Sequence, residues 1–225
     1  MNLINSVTKS PESKKQFCHV IKASQAEVLT DIYQKDTNIV IWQRKLEDKI
    51  TQAANSILIA NPTLQISLVV TPQNTYSSVK KILGDSQIAT ALCKDIVKLV
   101  DMFCYLFDLK RAGLRLTSLD TAMCPRFHVD GVPCRLVTTY QGIATEWLAH
   151  GTADRSKLGR GNQGKSDEKS GLYNNVADIQ QLRQGDVALL KGEAWEGNQG
   201  AGLIHRSPKL PSASHRLLLT IDFMD

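Results

Sequence analysis

The sequence predicts an α+β fold in which helices of the N-terminal half pack on the outside of a C-terminal β barrel or jelly roll. The first observation is a change of pattern at Arg111. Apolar residues at helical spacing precede it, and short alternating segments separated by turn residues follow it. The second is an ordinary composition, with 42% hydrophobic and 22% charged residues among 225. We therefore expect a single structural unit, mostly helical over residues 1–110 and forming a β core over residues 111–225.

The N-terminal half is predicted to alternate helices and short strands after a loose leader of residues 1 to about 23. Apolar residues at helical spacing and capping residues indicate three helices. They run from a cap at Ser24 to Gln34, over residues 44–60, and from a cap at Asp85 or Ser86 to about Leu109. Two segments rich in β-branched residues, Asn38–Trp42 and Leu64–Val70, are predicted strands.

Six short segments of the C-terminal half carry strand signals. They are Gly113–Leu119, Arg126–Val129, Cys134–Tyr140, Asp186–Leu190, Gly202–His205 and Arg216–Phe223. The long stretch from His150 to Asn175 is rich in Gly, Ser, Asn and charge, which predicts a mobile loop and a candidate lid. Within it, Gly159–Ser166 matches the letters of a phosphate-binding loop, but neither flank supplies the strand or the helix that such a loop requires.

Charge and cysteine usage restrict the class of protein. The net charge is +5, and Lys and Arg are scattered along the chain, so we expect no nucleic-acid partner. No apolar run approaches the roughly 18 residues of a membrane span, so we expect no membrane association. The five cysteines form no CxxC pair, which argues against a secreted disulfide framework and favours a reduced, cytoplasmic protein.

Two histidines and one aspartate of the β half are candidate ligands of a single divalent metal ion. His128 and Asp130 are two residues apart on a predicted strand, so their side chains would point to the same face. His205 lies on another predicted strand and completes a two-histidine, one-carboxylate set that leaves coordination positions open. Because zinc accepts the same ligands, the set alone does not decide between iron(II) and zinc.

A basic residue near this set is a candidate anchor for a carboxylate. Arg216 follows His205 by eleven residues, and its guanidinium could hold a carboxylate bidentately beside the metal. His215 competes for this role, since neighbours on a strand face opposite sides and alternation does not decide between them. Tyr140 could donate a hydrogen bond to the same carboxylate, or could simply fill the barrel.

These residues, in this order, resemble the iron(II)- and 2-oxoglutarate-dependent dioxygenases. Their pattern is HxD, a distal histidine, and then Arg or Lys about ten residues further on. In this chain Gln184–Leu190 is similar to the strand before the distal histidine, His205–Pro208 to the motif at that histidine, and Arg216–Phe223 to the final strand. The resemblance covers about residues 112 to 223, roughly half the chain.

The resemblance implies a double-stranded β-helix of the jelly-roll or cupin type. It further implies iron(II) bound by His128, Asp130 and His205, with 2-oxoglutarate as co-substrate held by Arg216 and Tyr140. The substrate would be a small molecule or a protein. The protein would then be an oxygenase, with no catalytic side chains beyond the metal ligands.

A second resemblance lies over the same region. Cys124–Tyr140, followed by Thr145–Leu148, is similar to a numbered bacterial family without an assigned function, which we connect with genes of zinc homeostasis. The alternative function is therefore that of a non-catalytic, cupin-like protein for zinc or iron handling. A third class, a metal-dependent hydrolase, would require a general base close to the metal, for which Glu146 is the only candidate.

Overall fold

A computed structural model describes residues 18–224 of the chain. The predicted leader lies outside the described residues as far as residue 17, and its last part forms a strand instead of a loop. The ten strands are β1 His19–Ala23, β2 Thr37–Trp42, β3 Gln65–Val70, β4 Ala112–Leu119, β5 Cys134–Gln141, β6 Glu146–Leu148, β7 Ile179–Gln181, β8 Val187–Lys191, β9 Ile204–Arg206 and β10 Arg216–Phe223. The three longer helices are α1 Asp48–Ala60, α2 Thr75–Leu83 and α3 Gln87–Leu106, and a 3-10 helix covers Ala26–Tyr33.

Two sheets organise these strands. The large sheet has the order β1-β2-β8-β5-β10-β4-β3, and all of its pairs are antiparallel except β1 with β2. The small antiparallel sheet has the order β7-β6-β9. Strands of the N-terminal half extend the large sheet at both ends, since β2 pairs with β8 and β3 pairs with β4.

Helices cover one face of the large sheet, as the apolar stripe of α3 predicts. Ser86 caps α3 by accepting a hydrogen bond from the amide of Ala89 at 3.0 Å, which supports the predicted start of this helix. Leu92, Ile96 and Leu99 are fully buried against the sheet. Odd-numbered residues of β10, such as Leu217 and Leu219, face this helical layer.

The opposite face of the large sheet packs against the small sheet. Leu190 of β8 and Leu218 of β10 pack there with Trp147 of β6 in a second apolar cluster. This alternation places Leu189 and Leu190 in different clusters, as neighbours on a strand buried on both faces require. The space between the two sheets is where the candidate site lies.

Two predictions about local structure were wrong, and one helix was not predicted. Helix α2 replaces a segment for which no element was predicted, because its short apolar stripe is diluted by polar residues. Arg126–Val129 is not a strand, and only His128 forms an isolated β-bridge. The stretch from His150 to Asn175 is not a free lid, since it contains a series of short helical turns and buries Leu172 and Tyr173 under the small sheet.

A buried carboxylate explains why this stretch is attached to the rest of the protein. Asp167 accepts hydrogen bonds from the amide of Phe127 at 2.9 Å and from Arg206 at 3.1 Å, and it also pairs with Arg126 at 3.2 Å. The glycine-rich segment predicted to be a flexible loop therefore forms turns next to the ion pairs of Asp167. Among the residues described, no helix has the length and apolar character needed to cross a membrane.

Candidate metal centre

His128 and His205 are brought together by a backbone bridge. The amide of His128 donates to the carbonyl of His205 at 3.0 Å, and the amide of His205 donates to the carbonyl of His128 at 2.9 Å. Directly opposed residues of an antiparallel pair have neighbouring side chains. The two imidazole rings are accordingly 4.6 Å apart between centroids.

Asp130 is positioned by a close approach of two loops. Its carbonyl accepts a hydrogen bond from the amide of Glu193 at 2.9 Å, and the amide of Gly192 donates to Pro133 at 2.9 Å. A side chain at Gly192 would collide with the carbonyl oxygens of Asp130 and Val132, so only glycine fits this position. The loop that carries Asp130 therefore lies directly over the end of β8.

The three side chains form one cluster of ligand atoms. One atom from each of His128, Asp130 and His205 lies within 4.8 Å of the others. The Nε2 atom of His128 is 3.6 Å from Asp130 Oδ1, and the Nε2 atom of His205 is 3.5 Å from Asp130 Oδ2. The structure thus brings together the three predicted metal ligands, although His128 occupies a single bridge instead of a regular strand.

Backbone carbonyls orient both imidazole rings toward Asp130. The Nδ1 atom of His128 is 2.9 Å from the carbonyl oxygen of Arg126, and the Nδ1 atom of His205 is 3.2 Å from that of Leu203. In neutral rings these contacts place the proton on Nδ1 and leave the lone pair on Nε2. Metal-binding histidines use the same kind of contact to fix the ring and its tautomer.

The ionisation states of the cluster suit a cation. Burial lowers the pKa of His205 to about 4, so its ring is neutral near neutral pH. The nearby Asp130 carboxylate raises the pKa of His128, although burial opposes this change. Burial alone would raise the pKa of Asp130, but His128, His205 and Arg135 outweigh it and lower this pKa to about 2. Two imidazole nitrogens and an ionised carboxylate are a donor set that fits iron(II) or zinc.

Arg216 is the second notable group of the site. It is only 1% exposed, and burial lowers its pKa to about 10. Its guanidinium donates to the hydroxyl oxygens of Thr139 at 3.1 Å, Thr145 at 2.7 Å and Ser207 at 3.1 Å. No carboxylate of residues 18–224 forms a salt bridge with it. A buried cation that has only neutral partners is costly, and an anion bound beside it would offset this cost.

One cavity of about 90 Å³ joins Arg216 to the histidines. Its wall includes His128, His205 and Arg216 together with Leu218 and Thr220, the strand neighbours that share a face with Arg216. His215 precedes β10 and is exposed. Strand alternation alone did not decide whether Arg216 or His215 faces the site. In the structure it is Arg216 that faces the cavity.

Tyr140 does not face this cavity, which corrects its predicted contact with the co-substrate. It is fully buried on the helical side of the large sheet, where its hydroxyl donates to Asp95 at 2.7 Å. Arg44 binds the same carboxylate through two hydrogen bonds of 2.6 and 2.8 Å. Neighbouring residues of a strand face opposite sides of the sheet. Thr139 is on the side of Arg216 and the cavity, so Tyr140, the next residue of β5, faces the helices.

Replacing Tyr140 by Phe is expected to lower the free energy of unfolding by about 1.5 kcal/mol, since a buried hydrogen bond to a charged group is lost. Ligand binding in the cavity should not change. Chemical denaturation measures the first effect, and metal titration measures the second. If the variant keeps its fold but binds the ligand more weakly, Tyr140 does contribute to the site and its assignment to the helical side is wrong.

Several polar residues around the site could not be assigned from the sequence. Thr139 and Ser207 orient Arg216, and Arg135 contacts Asp130 at 2.7 Å. Ser207 could have been found from its spacing, because it follows His205 by two residues and both side chains therefore lie on one face of an extended segment. Glu146 binds Arg206 at 2.7 Å and does not line the cavity, so it lacks the position of a general base.

The architecture and the side-chain cluster together define a two-sheet protein with a candidate metal centre between its sheets. A family model described as "Protein of unknown function (DUF1826)" matches residues 23–222. The chain therefore belongs to this family. No protein in a curated collection matches the sequence.

Solved structures show a similar fold at low sequence identity. A full-length protein from Neurospora crassa, solved in complex with alpha-KG and 5-formyluracil, has a TM-score of 0.50 and 8% identity. The match covers 96% of this chain and 87% of that one. The dioxygenase for auxin oxidation from rice has a TM-score of 0.49 and 11% identity, with 92% and 83% covered. A putative oxygenase from Shewanella oneidensis also scores 0.49 at 11% identity, with 91% and 89% covered.

Proposed function

We propose that the protein is an iron(II)- and 2-oxoglutarate-dependent oxygenase. The observation that carries this proposal is the shared cavity, in which the two histidines of the two-histidine, one-carboxylate cluster line the same wall as a buried arginine without an acidic partner among the described residues. A metal site alone would not require Arg216. A dicarboxylate that binds a metal at one end and a guanidinium at the other would use both groups.

The order of strands supports a double-stranded β-helix as the core, which we assign to residues 111–225. Four successive positions of the large sheet are β8, β5, β10 and β4, and the small sheet has β7, β6 and β9. The His128 bridge adds an eighth segment next to β9. Eight segments in two facing sheets are the number expected for a jelly roll.

The residues of the chain would act by binding, orienting and excluding water. His128 and His205 would offer their Nε2 lone pairs, and Asp130 a carboxylate oxygen, to the metal. When bound, iron(II) would supply a centre for the activation of molecular oxygen, with dioxygen as the oxidant and 2-oxoglutarate as the co-reductant. Arg216 would bind the far carboxylate of 2-oxoglutarate in a fork that Thr139 and Thr145 hold in place.

Thermal melting tests the proposal through linkage between ligand binding and folding. With metal present, 2-oxoglutarate should raise the melting temperature, and the stabilisation should reach about 2.7 kcal/mol at a hundred times its Kd. Without metal the increase should be much smaller. Glutarate is the matched control ligand, since it keeps both carboxylates but lacks the oxo group that would bind the metal.

A different outcome would favour the alternative function. Stabilisation by zinc or iron alone, with no response to 2-oxoglutarate, would contradict the oxygenase and support a non-catalytic metal-handling protein. We retain a small-molecule or protein substrate, no nucleic-acid partner and a cytoplasmic location as parts of the proposal.

A further inference from the structure

Arg135 is a charged residue of the cavity wall whose contacts the proposed function does not use. It lies on β5, and its side chain is 20% exposed. Its Nη1 donates to Asp130 Oδ2 at 2.7 Å, while Nε and Nη2 donate to the two carboxylate oxygens of Asp222 at 2.7 and 3.0 Å. One guanidinium therefore joins a candidate metal ligand to a second carboxylate.

The sheet fixes this arrangement. Arg135 and Asp222 are direct partners in the register of β5 and β10, so their side chains start from adjacent positions on one face. Asp222 is 7% exposed and holds the guanidinium through a two-point contact, which limits its rotation. The third donor of Arg135 is consequently aimed at Asp130.

The two oxygens of Asp130 thus have different surroundings. Each oxygen has one histidine Nε2 atom nearby, that of His128 at 3.6 Å from Oδ1 and that of His205 at 3.5 Å from Oδ2, but only Oδ2 also accepts the short, charged hydrogen bond from Arg135 at 2.7 Å. A carboxylate whose one oxygen is already paired with a guanidinium donates less charge to a metal. Such a carboxylate also binds a metal ion preferentially through its other oxygen alone.

We propose that Arg135 is a positioning residue that restricts Asp130 to one metal-binding oxygen and weakens the affinity of the site for divalent cations. This inference rests on the proposed function. The reason is electrostatic: Arg135 stabilises the metal-free carboxylate and repels the incoming cation. At this range a unit charge changes an affinity by more than about tenfold, even at an effective dielectric constant of about 20.

The direction of this effect separates it from an ordinary structural role. Removal of a residue that only orients metal ligands lowers metal affinity by roughly 10- to 100-fold. Removing Arg135 should instead increase affinity. An Asp130 that binds through one oxygen also leaves one more coordination position open for further ligands than an Asp130 that binds through both.

Competition titration of iron(II), under anaerobic conditions, and of zinc against a chelator tests the proposal on the full-length protein. Arg135→Met should bind both ions at least about tenfold more tightly than the wild type. Arg135→Lys loses the two-point contact with Asp222 but keeps the positive charge, and because the effect is attributed to charge it should stay within about threefold of the wild type. Arg115→Met is the matched control: Arg115 lines the same cavity and reaches Asp222 at 3.3 Å, but its exposed charge is screened.

The double variant Arg135→Met/Asp222→Asn provides a second measurement if the single variant does not fold, since it leaves no unpaired carboxylate at position 222. It should also bind more tightly than the wild type. Equal or weaker binding by folded Arg135→Met, or by the folded double variant, would overturn the proposal while the proposed function stands. Failure of the wild type to bind either ion would overturn both.

Discussion

Replacing His128 by Ala is expected to abolish metal retention. The structure gives the cluster three protein ligands, and the loss of one imidazole leaves a nitrogen and a carboxylate that cannot hold the ion against exchange with water. His205→Ala should have the same effect, since its Nε2 atom faces Asp130 at 3.5 Å. Metal content after gel filtration in metal-free buffer measures both variants.

The control for this prediction is His150→Ala. His150 lies in a short 3-10 turn and does not line the cavity, so its removal should leave metal retention intact. Equal metal content in the His128 and His150 variants would contradict the assignment of the ligands. Loss of metal from the His150 variant alone would move the site elsewhere.

Replacing Arg216 by Met is expected to lower the affinity for 2-oxoglutarate at least about tenfold, equivalent to about 1.4 kcal/mol or more. Methionine keeps much of the apolar stem but removes the fork that binds a carboxylate. Metal binding should survive this change, because Arg216 contacts hydroxyl groups and none of the three ligands. Calorimetric titration of 2-oxoglutarate into metal-loaded protein provides the comparison.

His215→Met is the matched variant for this experiment. His215 is the exposed neighbour of Arg216, so its replacement should leave 2-oxoglutarate binding near the wild-type value. If the Arg216 variant and the wild-type protein bind 2-oxoglutarate equally, Arg216 is not the anchor, and Arg135 would be tested in its place.

The long elements could be predicted from the sequence because their apolar patterns are strong. The stripe of α3 and its Ser86 cap predict that helix to within about three residues at its C-terminal end. Strand β8 is a nearly continuous apolar run, and β5 and β10 carry apolar residues on both faces, as expected for strands buried on both faces. The short strands β6 and β7 were not predicted, since three residues are too few to show a period.

Stretches rich in glycine and charge were harder to interpret. The segment around Asp167 has the composition of a mobile loop, yet its charges pair with Arg126 and Arg206, which are distant in sequence. Composition indicates whether a segment would be ordered by itself. This segment is ordered instead by contacts with distant parts of the chain. Long-range ion pairs of this kind leave no local pattern.

The candidate ligands could be predicted, but their environment could not. The HxD spacing and the position of Arg216 are visible in the chain, and the structure places both histidines and Arg216 around one cavity, with Asp130 clustered beside the histidines. The strand expected to align His128 with Asp130 is absent from the described residues, and a backbone bridge to His205 replaces it. The position of Tyr140 depended on which face of β5 meets the helices, and this is a property of the assembled sheets.

The structure of a crystal soaked anaerobically with iron(II) and 2-oxoglutarate would test the metal ligands and the position of the co-substrate in one experiment. We predict an anomalous scattering peak at about 2.0–2.2 Å from the Nε2 atoms of His128 and His205 and from one oxygen of Asp130. We also predict a dicarboxylate that reaches from this ion to the guanidinium of Arg216. An ion bound away from these three side chains, or 2-oxoglutarate bound outside the cavity, would contradict the proposed function.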